Sequence, residues 1–152
     1  MKAVVQRVSH ANVSVNDAVA ASTAKGLLIL LGVEENDTPE DSDVLARKIA
    51  RLRIFPDSSG RMNLDITNVK GEILSIPQFT LLADMKKGHR PSFNRAAGPE
   101  LASSLWKRFG EKLREHKIIV REGKFGARMK VSLTNDGPVT LFMDSSQWRG
   151  KT

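Results

Sequence analysis

Long apolar segments along the chain mark its predicted strands. GLLILLGV at 26–33 and GEILSIPQFTLL at 71–82 are apolar runs of strand length, typical of strands that are buried on both faces of a sheet. Valine-rich segments before them predict two opening strands and a hairpin partner: AVVQRVSH at 3–10, ANVSV at 11–15 and AVAAST at 18–23. The hairpin turn falls at Asn16-Asp17, because these residue types favour turns. The pattern therefore predicts a sheet at the centre of the fold.

Two other segments repeat their apolar residues at helical spacing. The first has Thr38 as a candidate cap and Pro39 at the first helical position, which predicts a helix from about 39 to 51. The second begins at Pro99 and contains Gly110, a residue that weakens a helix interior. Its predicted core face is formed by Leu101, Leu105, Trp106, Phe109 and Leu113. We therefore expect two amphipathic helices.

The last third of the chain returns to strand patterns. Glycines divide it into three strand-like pieces, KIIVREGKFG, ARMKVSLTNDG and PVTLFMD. Because the chain has no internal repeat and no linker, we expect one α/β domain over 1–144. In this domain, the two helices are expected to pack on a mixed β-sheet or partly closed barrel. The final segment, SSQWRGKT at 145–152, is predicted to be an exposed tail.

The composition restricts the partners and the chemistry. The formal net charge of +7 favours polyanions such as nucleic acid as partners. The absence of cysteine excludes disulfides and thiolate metal sites and is typical of a reducing compartment. The longest apolar run is far below the roughly 20 residues of a membrane helix, and the first residues lack a signal-peptide pattern. We therefore expect a soluble cytoplasmic protein without a membrane partner.

Common catalytic devices are missing from the sequence. The three histidines, His10, His89 and His116, have no metal-ligand spacing, and neither a phosphate loop nor a dinucleotide fingerprint is present. His89 and Ser92 are on one predicted loop, but nothing nearby supplies an oriented catalytic pair. We expect no metal and no cofactor, and we interpret His89 as a loop residue.

The segment PQFTL interrupts the second apolar strand with polar groups. Pro77 removes a backbone donor, and Gln78 carries an amide that needs hydrogen-bond partners. Strand alternation predicts Gln78 and Thr80 on one face, with Phe79 and Leu81 on the other. An amide and a hydroxyl on one face can orient a polar substrate. Alternatively, Gln78 caps a loop carbonyl and Thr80 is an ordinary strand residue.

A second candidate is TNDGPVT at 134–140. Its Gly137-Pro138 pair offers bare carbonyls, lacks one N–H and has little side-chain bulk, which suits a close approach to a ligand. The bond between the two residues is one that can be cis at modest cost. The alternative is a hairpin turn between the last two strands.

Six segments together resemble one known family. They are MKAVVQRV, RLRIFPD with GRMN, PQFTL, KGHRPSF, GKFGARM and NDGPVT, and they resemble, in this order, the D-aminoacyl-tRNA deacylases from Met1 to about Asp144. The resemblance implies a homodimeric enzyme without a cofactor. It hydrolyses the ester between a D-amino acid, or glycine, and the 3′ end of tRNA.

The resemblance also implies roles for the two candidate segments. Gly137-Pro138 of one subunit, with a cis bond, would enter the active site of the partner, accept the α-amino group and leave no room for an L side chain. The backbone N–H groups of Phe79 and Thr80 would stabilise the charge on the ester oxygen. Arg7 would hold the Gly-Pro segment in orientation, and its alternative is a plain surface charge.

The nucleophile is a further point on which the resemblance offers two readings. Thr80 is one candidate, but no base is visible to activate its hydroxyl. We favour attack by water, assisted by the 2′-hydroxyl of the terminal adenosine, with Gln78 and its neighbours positioning the ester.

One residue departs from the family pattern. Pro77 stands where the family has serine, and a Pro-Gln pair is a mark of a related animal deacylase that clears L-alanine from threonine tRNA. Phe79 and NDGPVT resemble the D-specific branch, which we take as the main interpretation. A tRNA-binding module without turnover is the other alternative.

Basic residues follow this segment along the chain. Lys86, Lys87, His89 and Arg90 are candidates for salt-dependent contacts with tRNA phosphates, and a solvated loop is the alternative.

Overall fold

The computed structural model describes residues 1–150 as one mixed sheet, a small hairpin and two helices. The strands are β1 (Lys2–Val15), β2 (Ala18–Thr23), β3 (Gly26–Gly32), β4 (Phe55–Pro56), β5 (Met62–Leu64), β6 (Glu72–Pro77), β7 (Ile119–Glu122) and β8 (Lys130–Asp144). The α-helices are α1 (Pro39–Ala50) and α2 (Pro99–Glu115), and two 3-10 helices cover Phe79–Leu82 and Ser145–Trp148. None of the helices within residues 1–150 is long and apolar enough to cross a membrane.

Strand β1 pairs with three other strands of the sheet. One of its edges pairs with β3 through residues 2–8 and with β2 through residues 11–15, and its other edge pairs with β8. The two predicted opening strands are therefore one strand. Register shifts interrupt its pairing with β8 between Gln6 and His10. Irregular pairing of this kind increases strand bend and twist, and the sheet becomes a mixed, nearly closed barrel as predicted.

Three strands of the sheet are parallel, and this arrangement positions the candidate site. β3 pairs with β6, and β6 pairs with β7, all in the same direction. Helix α1 lies in the connection from β3 to β6, and α2 lies in the connection from β6 to β7. The carboxyl ends of the three strands, at Gly32, Pro77 and Glu122, consequently lie at one edge of the sheet.

Both predicted helices form for the local reasons given above. Thr38 caps α1, because the Asp41 carboxylate accepts hydrogen bonds from the backbone N–H and the hydroxyl of Thr38 at 2.9 and 3.1 Å. Helix α2 buries four of its five predicted core residues, and the fifth, Leu101, is 36% exposed. A Cβ atom at Gly110 would be 2.5 Å from Glu122 Oε1, so a larger residue here would require the Glu122 side chain to move.

The core has two parts, one on each face of the sheet. The larger part lies between the sheet and the helices and includes Ile29, Leu45 and Phe109. The smaller part includes Val13, Leu28 and Ile76 and fills the inside of the curved sheet. Strand β3 contributes to both parts, which confirms that it is buried on both faces.

The prediction of three pieces in the last third is wrong. After β7, residues 130–144 form the single strand β8, and Gly137-Pro138 lies inside it. On either side of this pair, Asn135 and Thr140 both pair with residues of β1. The strand therefore stays paired with β1 before and after Gly137-Pro138. The hairpin-turn alternative for Gly137-Pro138 is therefore excluded.

The prediction of an exposed C-terminal tail is also wrong for the residues next to β8. Ser145 is fully buried and donates a hydrogen bond to Asp41 at 2.7 Å, and Trp148 packs against the core. Arg149 forms ion pairs with Asp37 at 2.7 Å and with Asp41 at 2.8 Å. Carboxylates at the start of α1 thus hold the segment in place. Residues 151 and 152 lie outside the described residues.

Candidate active site

A cavity of about 550 Å³ lies at the carboxyl ends of the parallel strands. Its walls come from the ends of β3 and β6, from the start of α2 and from the residues after β7. Most of the lining side chains are apolar and include Leu31, Val33, Ile76, Trp106, Phe125 and Met129. Clefts beyond the carboxyl ends of parallel strands are common ligand sites, so this cavity is the strongest candidate for one.

One wall of the cavity is fixed by a buried hydrogen bond. The indole N–H of Trp106 donates to Ser75 Oγ at 3.0 Å, and both residues are buried. Phe125 packs against Trp106 with ring centroids 6.0 Å apart. Because the only polar atom of the indole is already bonded, the wall offers an apolar surface to a ligand.

The segment PQFTL forms another wall, with a geometry that differs from the prediction. Strand β6 ends at Pro77, and Phe79–Leu82 is a 3-10 helix, so the predicted strand alternation is wrong. The last ladder bond runs from the Gln78 N–H to the Leu31 carbonyl at 2.8 Å, after which the chain turns. The Gln78 side-chain amide donates to the Thr80 hydroxyl across this turn. The two polar side chains therefore meet, as expected, but through a turn.

The turn leaves two backbone donors free. A helix start has N–H groups without partners inside the helix. Within residues 1–150, the N–H groups of Phe79 and Thr80 have no hydrogen-bond acceptor. Phe79 lines the cavity, whereas Thr80 lies just beyond its lining. Two adjacent free donors beside an apolar cavity can stabilise an oxygen that becomes negatively charged.

Pro77 lines the cavity directly before these donors. Because the N–H of Gln78 faces β3, the backbone nitrogen of the preceding residue faces the opposite direction, where β7 has already ended. A proline at this position removes a donor that would otherwise face away from β3. The wall is therefore more apolar than it would be with a serine.

Gly137-Pro138 lies outside the cavity lining of its own chain. Its peptide bond is cis, both residues are exposed, and Gly137 has a φ of 142°. A Cβ atom at Gly137 would be 2.7 Å from Val139 Cγ2 and 2.8 Å from the Val139 nitrogen. Only glycine fits this position without a shift of the backbone.

Arg7 binds the segment that precedes Gly137. Its side chain is buried, and its Nε donates to the Asp136 carbonyl at 2.9 Å. Its Nη1 donates to the Ile54 carbonyl at 2.7 Å. Arg7 is therefore not a plain surface charge, because it connects β8 to the β4 region through two backbone contacts.

The basic residues after PQFTL form a closed loop. Reciprocal backbone hydrogen bonds between Asp84 and Ser92, at 2.8 and 2.9 Å, close residues 84–92, which we call the basic loop. All four candidate side chains in this loop are exposed: Lys86, Lys87, His89 and Arg90. In the described part of the chain, none of them has an ion-pair partner.

Sequence reasoning missed part of the cavity wall. Trp106 was expected only in the core, and the segment GKFGARM was assigned no role of its own. The signal was present in that segment, because the apolar residues Phe125, Ala127 and Met129 recur at every second position. Among residues 1–150, no group of three His, Cys, Asp or Glu side chains is arranged to hold a metal ion.

Comparison with known proteins gives consistent matches over nearly the whole chain. The family model described as D-Tyr-tRNA(Tyr) deacylase matches residues 4–144. The D-aminoacyl-tRNA deacylase of Thermosipho melanesiensis is 53% identical over 148 residues, which cover 97% of this chain and 99% of the relative. The protein of the same name from a Geobacillus species is 51% identical over 150 residues, with 99% of both chains covered.

Two solved structures share the fold. One is titled c-Myc DNA Unwinding Element Binding Protein and is 38% identical, with a TM-score of 0.89 over 95% of this chain and 98% of the other. The second is described as a probable eukaryotic D-amino acid tRNA deacylase, with a TM-score of 0.80 over 93% and 97% of the two chains. At 17% identity, this second structure shows the fold alone.

Proposed function

We propose a backbone-based mechanism for this chain, which belongs to the D-Tyr-tRNA(Tyr) deacylase family and is a hydrolase of D-aminoacyl-tRNA. Water attacks the ester carbonyl, the bond to the 3′ oxygen of the terminal adenosine breaks, and the products are a free D-amino acid and tRNA. The free N–H groups of Phe79 and Thr80 beside the cavity are the observation that carries this mechanism. One preorganised donor of this kind typically accounts for about 10²–10³ in rate.

Water is a better candidate for the nucleophile than Thr80. The Thr80 hydroxyl accepts a hydrogen bond from Gln78, and no basic side chain among residues 1–150 is hydrogen-bonded to it. A hydroxyl without a base is a weak nucleophile at neutral pH. The 2′-hydroxyl of the terminal adenosine lies next to the scissile bond and assists the water, while Gln78 and Thr80 orient the ester.

Gly137-Pro138 supplies chiral selection to a second copy of the chain. The pair is exposed and outside its own cavity, and Arg7 donates a hydrogen bond to the carbonyl of the preceding Asp136. In the described residues, the outer edge of β8 has no partner strand, so a second copy has room to approach it. In the homodimer, the two bare carbonyls accept the α-amino group and exclude an L side chain. Glycyl-tRNA, which has no side chain, is then also a substrate.

The basic loop supports the tRNA side of the proposal. Its four candidate phosphate-binding residues are exposed and follow the cavity wall along the chain: Lys86, Lys87, His89 and Arg90. Contacts with the phosphates at the 3′ end make binding salt-dependent. Aminoacyl-tRNA is a cytoplasmic substrate, so we assign the enzyme to the cytoplasm and expect no membrane partner.

Pro77 gives an alternative substrate range. The wall at this position lacks the hydroxyl and the N–H of a serine. Because the Pro-Gln pair resembles that of the related animal deacylase that clears L-alanine from threonine tRNA, relaxed chirality with activity on L-alanyl-tRNA(Thr) is the alternative. A binding module without turnover is a second alternative, and one similar structure carries a name that refers to binding of a DNA unwinding element.

Deacylation of matched tRNAs tests these readings. Purified protein is incubated with D-tyrosyl-tRNA, L-tyrosyl-tRNA and L-alanyl-tRNA(Thr), and the release of amino acid is followed. We expect rapid hydrolysis of the D-form and little of either L-form. A chain that binds tRNA but leaves the D-form intact is a binding module. Equal rates on both tyrosyl forms would refute chiral selection, and preferential hydrolysis of the alanyl form would support the Pro77 alternative.

Gly137→Ala is the matched variant for the chiral step. A Cβ at this position meets Val139 and requires the pair to shift. We expect the ratio of D- to L-tyrosyl-tRNA hydrolysis to fall at least tenfold, while thermal unfolding shows a folded variant. An unchanged ratio would remove Gly137-Pro138 from the mechanism.

A further inference from the structure

We infer that Lys124 and Arg128 form a second phosphate-binding rim of the cavity, beside the basic loop, for the single-stranded 3′ end of tRNA. This inference rests on the proposed function, because it identifies contacts for the substrate of the same cavity. Both residues belong to residues 123–129, which we call the wall loop and which follow β7 directly.

The wall loop separates its apolar and charged side chains. Phe125, Ala127 and Met129 are half-buried and line the cavity, whereas Lys124 and Arg128 are exposed. The cations are therefore at the outer side of a segment whose inner side is a wall of the cavity. A ligand that enters the cavity has its outer part next to them.

Backbone contacts give the wall loop a defined shape. The Ala127 N–H donates to the Lys124 carbonyl at 3.2 Å, and the Lys124 N–H contacts Met129 Sδ at 3.4 Å. Gly126 has a φ of 76°, which allows the tight turn between them. The backbone positions of Lys124 and Arg128, on either side of the turn, are consequently defined.

The neighbouring cations are paired, but these two are not. Arg121 lies 3.5 Å from Glu72, and Lys130 lies 2.7 Å from Asp17. Among residues 1–150, neither Lys124 nor Arg128 has an acidic partner within ion-pair distance. Two unpaired cations at the edge of an uncharged cavity fit a ligand that has an apolar or neutral end and negative charge behind it.

The 3′ end of an aminoacyl-tRNA has this distribution of charge. The ester and the terminal nucleoside are free of negative charge, and phosphates begin directly after them. β6 and β7 are neighbours in the sheet, so the loops that follow them, the basic loop and the wall loop, leave the same edge. The two loops together supply cations for successive phosphates of the single strand.

Equilibrium binding of tRNA that carries no amino acid tests the inference without relying on hydrolysis. The variant is K124Q/R128Q, and the control is K25Q/K70Q. Lys25 and Lys70 are exposed and lie just before the amino ends of β3 and β6. They therefore lie at the end of these strands that is opposite to the cavity. Each double variant removes the same charge, and thermal unfolding verifies that both are folded. The dissociation constant is measured between 50 and 200 mM KCl.

We expect K124Q/R128Q to weaken binding about tenfold at low salt. The slope of log affinity against log salt concentration is expected to be smaller in magnitude than that of wild type by about 1.4, because each phosphate contact to a single strand contributes about 0.7 to this slope. The control is expected to keep the wild-type slope. A wild-type slope in K124Q/R128Q, or an equal change in K25Q/K70Q, would contradict the inference.

A truncated tRNA identifies where the contacts lie. With a tRNA that lacks its 3′-terminal CCA, we expect wild type and K124Q/R128Q to bind equally. A difference that persists would assign the two cations to another part of the tRNA and overturn the inference. Failure of wild type to hydrolyse D-tyrosyl-tRNA would refute the proposed function instead, so the two failures are distinguishable.

Discussion

Charged side chains at one edge of the sheet are used in two different ways. After β3, Asp37 and Asp41 are buried and bound to the amine of Met1, to Ser145 and to Arg149. After β6 and β7, the exposed cations of the basic loop and the wall loop have no acidic partner within residues 1–150. The first group holds distant parts of the chain together. The second group is available to a polyanion.

The pKa of Asp41 reflects this difference. Burial alone would raise the pKa of this carboxyl, but hydrogen bonds from Arg149, Ser145 and Thr38 outweigh burial and hold the pKa far below its usual range. The folded state therefore stabilises the ionised form of Asp41. Exposed charges without partners gain no such stabilisation, because water solvates them in the folded and unfolded states alike.

Asp41→Asn is expected to have the largest effect on stability. It leaves the buried Ser145 hydroxyl and the Arg149 guanidinium without a carboxylate. Removing one partner of a fully buried pair costs about 3–5 kcal/mol, and because Asp41 is 2% exposed but Arg149 is 47% exposed, we expect a smaller loss of about 2–4 kcal/mol. Asp43→Asn is the matched control, since Asp43 is on the same helix but its pair with Arg108 is partly exposed, at 33% and 40%. We expect the control to cost less than about 1 kcal/mol.

Denaturant unfolding measures both variants. Equal losses in the two would show that burial of the Asp41 cluster adds nothing to an ordinary surface pair.

Acid sensitivity sharpens the comparison further. Because the folded pKa of Asp41 is lower than the unfolded value of about 3.9, its contribution is present above that pH and is lost as the pH falls below it. We expect the unfolding free energy of wild type to fall more steeply between pH 5 and pH 2 than that of Asp41→Asn. Parallel curves would contradict the assignment of this loss to Asp41.

Removal of charge from the basic loop is expected to have the smallest effect on stability. In K86Q/K87Q/R90Q, the unfolding free energy should stay within about 0.5 kcal/mol of wild type, because the exposed side chains have no partners. The KM for D-aminoacyl-tRNA should rise several-fold, and more at low salt. A large loss of stability with an unchanged KM would reverse the comparison.

Local signals in the sequence predicted the elements whose causes are local. Thr38 and Pro39 defined the start of α1, and the apolar run at 26–33 predicted β3, since capping and burial are encoded within a few residues. Both bounds of α1 and the start of α2 were accurate to about one residue. The parts of the fold that depend on distant partners were harder to predict.

The errors have a common physical origin. The turn after Pro77 forms where the sheet partners of β6 end, and β8 stays continuous because β1 pairs with it on both sides of Gly137-Pro138. Arg149 is held by Asp41, 108 residues away. No local pattern contains these partners, so alternation, turn signals and chain position each gave the wrong geometry.

The candidate site likewise combines features that local sequence predicts with features that depend on distant partners. The turn residues and the Gly-Pro pair were identified from short segments, whereas the apolar wall around Trp106 depends on packing between α2, β6 and the wall loop. A tryptophan at helical spacing is normally a core residue. Only the fold shows that one side of its indole faces a cavity.

Single-turnover deacylation of D-tyrosyl-tRNA by Thr80→Ala tests the central claim most directly. The variant keeps the backbone N–H groups of residues 79 and 80 and removes the hydroxyl that Gln78 contacts. Since the account assigns the chemistry to backbone donors and water, it predicts a rate within about tenfold of wild type, with a folded variant by thermal unfolding. A rate that falls to the uncatalysed background would make Thr80 the nucleophile and contradict the account.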